Sequence, residues 1–335
     1  MAMIDKEKAQ KFRLLLKRGA QDEALALVTE LFRDYMEREN LENASHAIIL
    51  MSHILESMGK SRIVEKEAQR LKALAIKKNI LRPYMGFMHA RFGSLLELGE
   101  IKRAAAIVRD MEKTGWKKIA TLSRADMAIV RGQPALAWEL AEEYGVNDPN
   151  SFLIKARSLA GTGRLIEAIR FLEGEMVKIP AFEIMRKDLM GFCLIALGEY
   201  GQAEKYLNQA MEDTRRAHGE AGGMASCFAS MGVIWAARGD TEKARLYFDL
   251  GESSSMRVGS VRETLEILAI REAALPEGVD SLTRAREIAE QARAKGFGVA
   301  RMWALWAGAG IAGTLGLEKE WGDHITTLMR FASEF

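Results

Sequence analysis

Two small residues returning at a fixed separation constrain this chain more than anything else in it. A glycine is followed five residues later by an alanine in six places: Gly19 and Ala24, Gly99 and Ala104, Gly132 and Ala137, Gly163 and Ala168, Gly198 and Ala203, Gly239 and Ala244. The fullest copy runs from Gly191 to Ala210. There Gly191, Leu194 and Gly198 stand before a turn, and Ala203, Leu207 and Ala210 stand after it at helical spacing. Two helices joined by a glycine turn make an αα-hairpin. The glycine ends the first helix in a conformation that other residues reach only with strain, and the alanine lets the second backbone approach the first.

One hairpin cannot bury its apolar face alone, so self-similarity at this period predicts a stack. With Asp280 and Gly316 as weaker markers and Gly59 completing the series, the turns fall 40, 40, 33, 31, 35, 41, 41 and 36 residues apart along 335 residues. Five prolines and no low-complexity linker agree with one elongated array over residues 1–335, clearest over 84–255 and divergent over 1–83 and 256–335. Val64 replaces the alanine expected after Gly59. The Asp280 hairpin lacks a turn glycine at its marker, and Pro276 is expected to end the helix before it.

The pattern resembles the tetratricopeptide repeat, on Gly191, Leu194, Gly198, Tyr200, Ala203, Leu207 and Ala210, and again on Gly232, Trp235, Gly239, Ala244 and Phe248. That resemblance implies an all-α, right-handed α-solenoid superhelix of about eight or nine antiparallel hairpins. The steps of 40 and 41 residues are similar to the longer repeats of peptide-sensing and cargo-binding members. It also implies that the first helix of each hairpin lines a concave groove crossed by a peptide. Carried over, the groove residues are His89, Leu122, Asp126, Leu153, Arg157, Met185, Asp188 and Phe192, with Trp303 and Trp306 near the end as a self-association surface. The Lys and Asn set by which some members clamp a terminal carboxylate is not matched, since His89, Gly93 and Ser123 fall at comparable places.

Motifs that suggest other chemistry have simpler readings. Gly59-Lys60-Ser61 ends like a phosphate loop, but Ile54 stands where the leading glycine belongs and no strand precedes it. Gly308, Gly310 and Gly313 match a dinucleotide fingerprint inside what reads as a small-residue helix, where close helix packing is the better account. The charge-free segment from Met302 to Leu317 is 16 residues, short of the roughly 20 that span a bilayer. His46 and His53 could share a helix face without the further ligands a metal needs. No catalytic residue, metal or cofactor is assigned, and the expectation is a non-enzymatic protein.

Charge is unevenly spread. Residues 60–131 hold 17 Lys and Arg against 7 Asp and Glu, whereas the chain as a whole is +2. Helix ends account for part of this, at Lys77, Lys78, Lys117 and Lys118, where cations favour the dipole. The sharper reading is a docking surface for an acidic partner. Aromatic residues interleaved with the basic ones are too few to favour nucleic acid. Eighteen methionines suit core filling first and adaptable surfaces second. The N-terminus has no apolar run of signal-peptide length, and Cys193 and Cys227 are too far apart in sequence for a close metal or redox pair. A cytoplasmic protein is expected, a scaffold or adaptor holding a peptide or helix of another protein; the alternative is a sensor that changes superhelix shape when a ligand binds. A homodimer through the C-terminal hairpin is the further partner expectation.

Overall fold

Six alanines, each five residues after a turn glycine, have no exposed surface: Ala24, Ala104, Ala137, Ala168, Ala203 and Ala244 are all at 0%. Each sits where one helix crosses its neighbour, as its side-chain size requires. The computed structural model describes residues 6–18, 20–38, 40–57, 82–144, 149–174, 180–218 and 224–333, together with Ile63 and Lys77. Gly19, Gly59, Val64 and the Gly59-Lys60-Ser61 turn lie outside the described residues, as does most of the basic stretch before Arg82.

The described residues form helices joined by short turns. They are α1 Lys6–Lys17, α2 Gln21–Glu37, α3 Leu41–Ser57, α4 Arg82–Glu97, α5 Ile101–Lys113 and α6 Lys117–Val130. They continue as α7 Pro134–Tyr144, α8 Pro149–Gly161, α9 Leu165–Glu173, α10 Pro180–Ala196, α11 Tyr200–His218 and α12 Ala225–Ala237. The last are α13 Thr241–Val258, α14 Val261–Ala274, α15 Val279–Lys295, α16 Gly298–Thr314 and α17 Glu318–Ser333. The fold is an all-α solenoid of the tetratricopeptide type. Within a hairpin the two helices pack antiparallel, and first helices pack on first helices, α10 on α12 and α12 on α14.

Hairpin turns are set by residues that leave the right-handed region. Gly198 and Gly239 both have φ of 79°, which side-chain-bearing residues seldom adopt. The helix before Pro276 ends at Ala274, as expected, but the turn glycine of that hairpin does exist: it is Gly278, with φ of 74°. The marker at Asp280 is therefore corrected to Gly278. Ala285 nevertheless occupies the alanine position, at 0% exposure.

In three hairpins, the residue sixteen places after a first-helix glycine packs back onto it. A Cβ added to Gly191 would lie 2.7 Å from Leu207 Cγ, one on Gly232 would lie 2.9 Å from Phe248, and one on Gly308 would lie 2.5 Å from His324. A large residue on one helix thus takes the space that a glycine leaves on the other.

Solenoid repeats usually touch only their neighbours. Here repeats far apart in sequence also meet, α4 to α6 lying against α14 to α16. One apolar cluster joins Phe92, Leu95 and Met111 of α4 and α5 to Leu265, Ala292, Phe297 and Leu305 of α14 to α16. Phe297 is 1% exposed, and burying such a ring contributes about 2–3 kcal/mol. Ser260, which caps α14 by accepting from the Glu263 amide at 3.1 Å, also donates to Glu97 at the end of α4. Arg262 donates to the same Glu97 carboxylate at 2.9 and 3.1 Å, 165 residues away in sequence. Both partners are partly open to solvent, so this ion pair is worth roughly 1 kcal/mol or less. Apolar interlock holds the seam, and the ion pair fixes its register.

Candidate functional site

The first helices leave one side of the array uncovered. Counting six residues back from the turn glycine, the positions Gly93, Asp126, Arg157, Phe192, Val233 and Gly310 escape burial, whereas Glu272, six before Gly278, is 4% exposed. A Cβ at Gly93 or Gly310 would meet nothing within 4 Å. One heptad earlier lie Met185 and Ser226, both exposed, because residues seven apart share a helix face. Ten residues back, Leu122, Leu153 and Ala229 turn toward the adjacent helix, each 3% exposed, while Asp188 and Trp306 at the same register stay partly or largely open.

The expected groove residues therefore divide. Asp126, Arg157, Met185, Asp188 and Phe192 reach the uncovered side, with Met185 39% and Phe192 36% exposed. Leu122 and Leu153 form the packing beneath it. His89 lies on α4, with its side chain outside the described residues. Trp303 packs partly on the core while Trp306 is 57% exposed, and their rings meet edge to face at 5.6 Å.

Asp188 is the centre of a polar track running across three first helices. Its carboxylate accepts from Ser226 Oγ at 2.9 Å and from Cys227 Sγ at 3.3 Å, both on α12. Burial raises the Asp188 pKa above its ordinary value, against the pull of those two hydrogen bonds and of the Arg157 charge on α8. One helix further on, Glu263 is pushed up to about 7 by burial and by the Glu97 carboxylate, with Arg262 opposing and Glu266 and Asp188 adding to the rise. Despite burial, Arg262 is held charged by Glu266, Glu97 and Glu263. The track runs from α8 to the seam between α4 and α14.

Sequence reading missed Ser226, Cys227, Glu97 and Arg262. Ser226 was within reach, since it occupies in α12 the register of Met185 in α10. The Glu97–Arg262 pair carried no such signal. Among the described residues no three His, Cys, Asp or Glu side chains gather as a metal-ligand set, and no helix is long and apolar enough to cross a membrane. What the uncovered row offers chemically is an apolar anchor, Phe192 with Met185, beside an arginine and two carboxylates, and a peptide presents the matching groups.

No protein-family model matches the chain, and no curated protein matches its sequence. Solved structures do. A Rap protein complexed with competence and sporulation factor superposes with a TM-score of 0.65 at 16% identity, covering 98% of each chain. The apo form of the quorum sensor NprR from B. thuringiensis gives 0.50 at 16% identity, again over 98% of each chain. Aspartyl phosphate phosphatase F from Bacillus subtilis gives 0.50 at 15% identity, over 99% of this chain and 96% of that one. At such identities the likeness is one of fold, and it extends over nearly the whole length.

Proposed function

We propose that this chain is a non-enzymatic, cytoplasmic scaffold or adaptor that holds a peptide or helix of a partner protein along the uncovered side of its first helices. The observation that carries the proposal is the row Asp126, Arg157 and Phe192, open on successive helices and flanked by Met185 and Asp188. A few anchors of this kind supply most of the energy of a peptide complex. The whole-length fold likeness to a Rap protein bearing a bound factor supports the same reading. Affinity capture from the native cell, repeated with Phe192→Ala and Arg157→Glu together, tests it. Loss of the captured partner by the double variant is expected, and undiminished capture overturns the groove assignment.

The closed seam favours a second reading, a sensor whose shape responds to what it binds. A ligand that bound an opened form of this seam more tightly than the closed one would shift the chain toward it. Small-angle scattering with and without a captured peptide separates the two, because a scaffold keeps its radius of gyration and a sensor changes it. The basic stretch 60–131 suits an acidic partner, and the exposed Trp306 beside Trp303 suits a second copy of the chain. Sedimentation of Trp306→Ala against the parent chain tests the latter.

A further inference from the structure

The seam borders an open cleft of about 670 Å³ that neither of its two sides lines alone. One bank comes from the turns at Gly99 and Gly132 and presents Lys102, Arg103 and Arg131; the other comes from the end of α15 and the start of α16 and presents Arg293, Lys295 and Arg301. Glu100 is the one carboxylate in the lining, and it is engaged by Arg103. Arg293 pairs with Glu290 outside the cleft, and Arg301 lies 5.1 Å over the Phe331 ring. Lys102, Arg131 and Lys295 have no carboxylate at ion-pair distance among the described residues.

With Arg103 and Arg293 paired to glutamates, Lys102 and Arg131 on one bank and Lys295 and Arg301 on the other leave the cleft positive, and an anion between the banks relieves their repulsion. The fold enforces the approach regardless: Gly296 stands 3.5 Å in Cβ terms from Ile101, Gly99 stands 3.0 Å from Phe297, and Gly298 abuts the Arg131 carbonyl. Helices α5 and α16 also begin at this cleft, and their N-cap residues Glu100 and Phe297 make no side-chain cap, so their first amides add to the positive potential.

We propose that the cleft binds a small polyanion carrying two or more linked phosphate groups, which bridges the two banks and holds the two sides of the seam together. The volume falls in the range of roughly 300–1,000 Å³ typical of small-molecule sites. The nearby aromatic rings are not free to stack on a base, since Phe297 is 1% and Phe331 is 8% exposed, so recognition is of the phosphates. The site is separate from the row of first-helix residues and does not rest on the peptide reading.

The test is calorimetric titration of the full chain with inorganic pyrophosphate and tripolyphosphate, against orthophosphate, at fixed ionic strength. Pyrophosphate is expected to bind at least about tenfold more tightly than orthophosphate, which cannot reach both banks. Arg131→Gln and Lys295→Gln, one from each bank, are each expected to weaken pyrophosphate about tenfold, the size of one charge-assisted contact. The unliganded melting temperature of each variant shows that it folds, and the Phe192→Ala, Arg157→Glu double variant is expected to bind pyrophosphate as the parent does. Adenosine diphosphate, run alongside, separates the sources: binding tighter than pyrophosphate identifies a nucleotide, and equal binding identifies the phosphates alone. No heat with pyrophosphate or tripolyphosphate, equal affinity for orthophosphate, or binding unchanged in both variants overturns the proposal.

Discussion

Gly298 abuts Arg131 so closely that a Cβ built on the glycine would stand 1.7 Å from the arginine's carbonyl oxygen and 2.2 Å from its carbonyl carbon. The obstacle is backbone, which cannot swing aside as a side chain could. The first residue of α16 is therefore a glycine for reasons of space, and the space in question is the seam.

Replacing Gly298 by alanine is expected to part the seam. The loss should reach or exceed the roughly 1–3 kcal/mol of an ordinary overpacked site, with a larger radius of gyration in small-angle scattering. Gly310, on the same helix, is the control. Its Cβ would meet nothing within 4 Å, so Gly310→Ala is expected to raise stability by about 0.5–1 kcal/mol through helix propensity. A Gly298→Ala chain as stable and as compact as the parent removes the seam from the account.

Gly191 and Leu207 form a matched pair across their hairpin, and their substitutions should couple. Gly191→Ala places a methyl 2.7 Å from Leu207 Cγ, costing about 1–3 kcal/mol. Leu207→Ala leaves a cavity at a site with 0% exposure, costing about 2–5 kcal/mol. The double variant puts the alanine methyl into the space the leucine vacates, so its loss is expected to fall short of the sum by about 1 kcal/mol or more. Urea denaturation of the four chains measures the coupling, and strict additivity contradicts the pairing.

The local geometry of this fold was written in the sequence, and its closure was not. Turn glycines and their alanines follow from spacing because each acts within one hairpin. The fingerprint glycines of α16 likewise resolve locally, Gly308 lying against His324 and Gly313 against Trp321 at 3.3 Å. Leu122 and Leu153 were assigned to the groove with Asp188, which holds the same register. Whether a side chain at that register faces the groove or the next helix depends on how two helices lie against each other, and the leucines turn inward. Glu97 and Arg262 meet only because small rotations accumulate over many hairpins, a quantity that no short motif encodes.

Both cysteines should be inert in the folded chain. Burial pushes the Cys193 thiol up to about 11 and the Cys227 thiol well above its ordinary value, with the neighbouring Asp188 carboxylate adding to the latter. A thiolate is the reactive form. At pH 8 a chromogenic disulfide reagent is expected to label neither residue on the timescale of minutes, and two per chain once urea unfolds it. Fast labelling of the native chain contradicts the burial of these thiols.

Glu263 makes the seam sensitive to pH, and the direction follows from linkage. Its pKa rises from 4.5 to about 7 on folding, so between those values the folded chain holds a proton that the unfolded chain has released. Stability from this group is full below about pH 4.5 and is lost as pH rises through 7. The charges around it come from three helices, Glu97 on α4, Asp188 on α10, and Arg262 with Glu266 on α14. Above neutrality a further carboxylate charge joins Glu97 and Glu266 around the single Arg262 guanidinium at the seam. Glu263→Gln, which keeps the shape of the protonated acid, is expected to match the parent near pH 4.5. At pH 8 it should exceed the parent by something on the order of 2 kcal/mol. Urea denaturation of both chains at the two pH values reads the difference directly, since carboxylates elsewhere contribute equally to each. A gap that is constant across pH places the ionisation elsewhere, and a variant less stable at pH 8 reverses the sign and shows that Glu263 supports the seam as an anion.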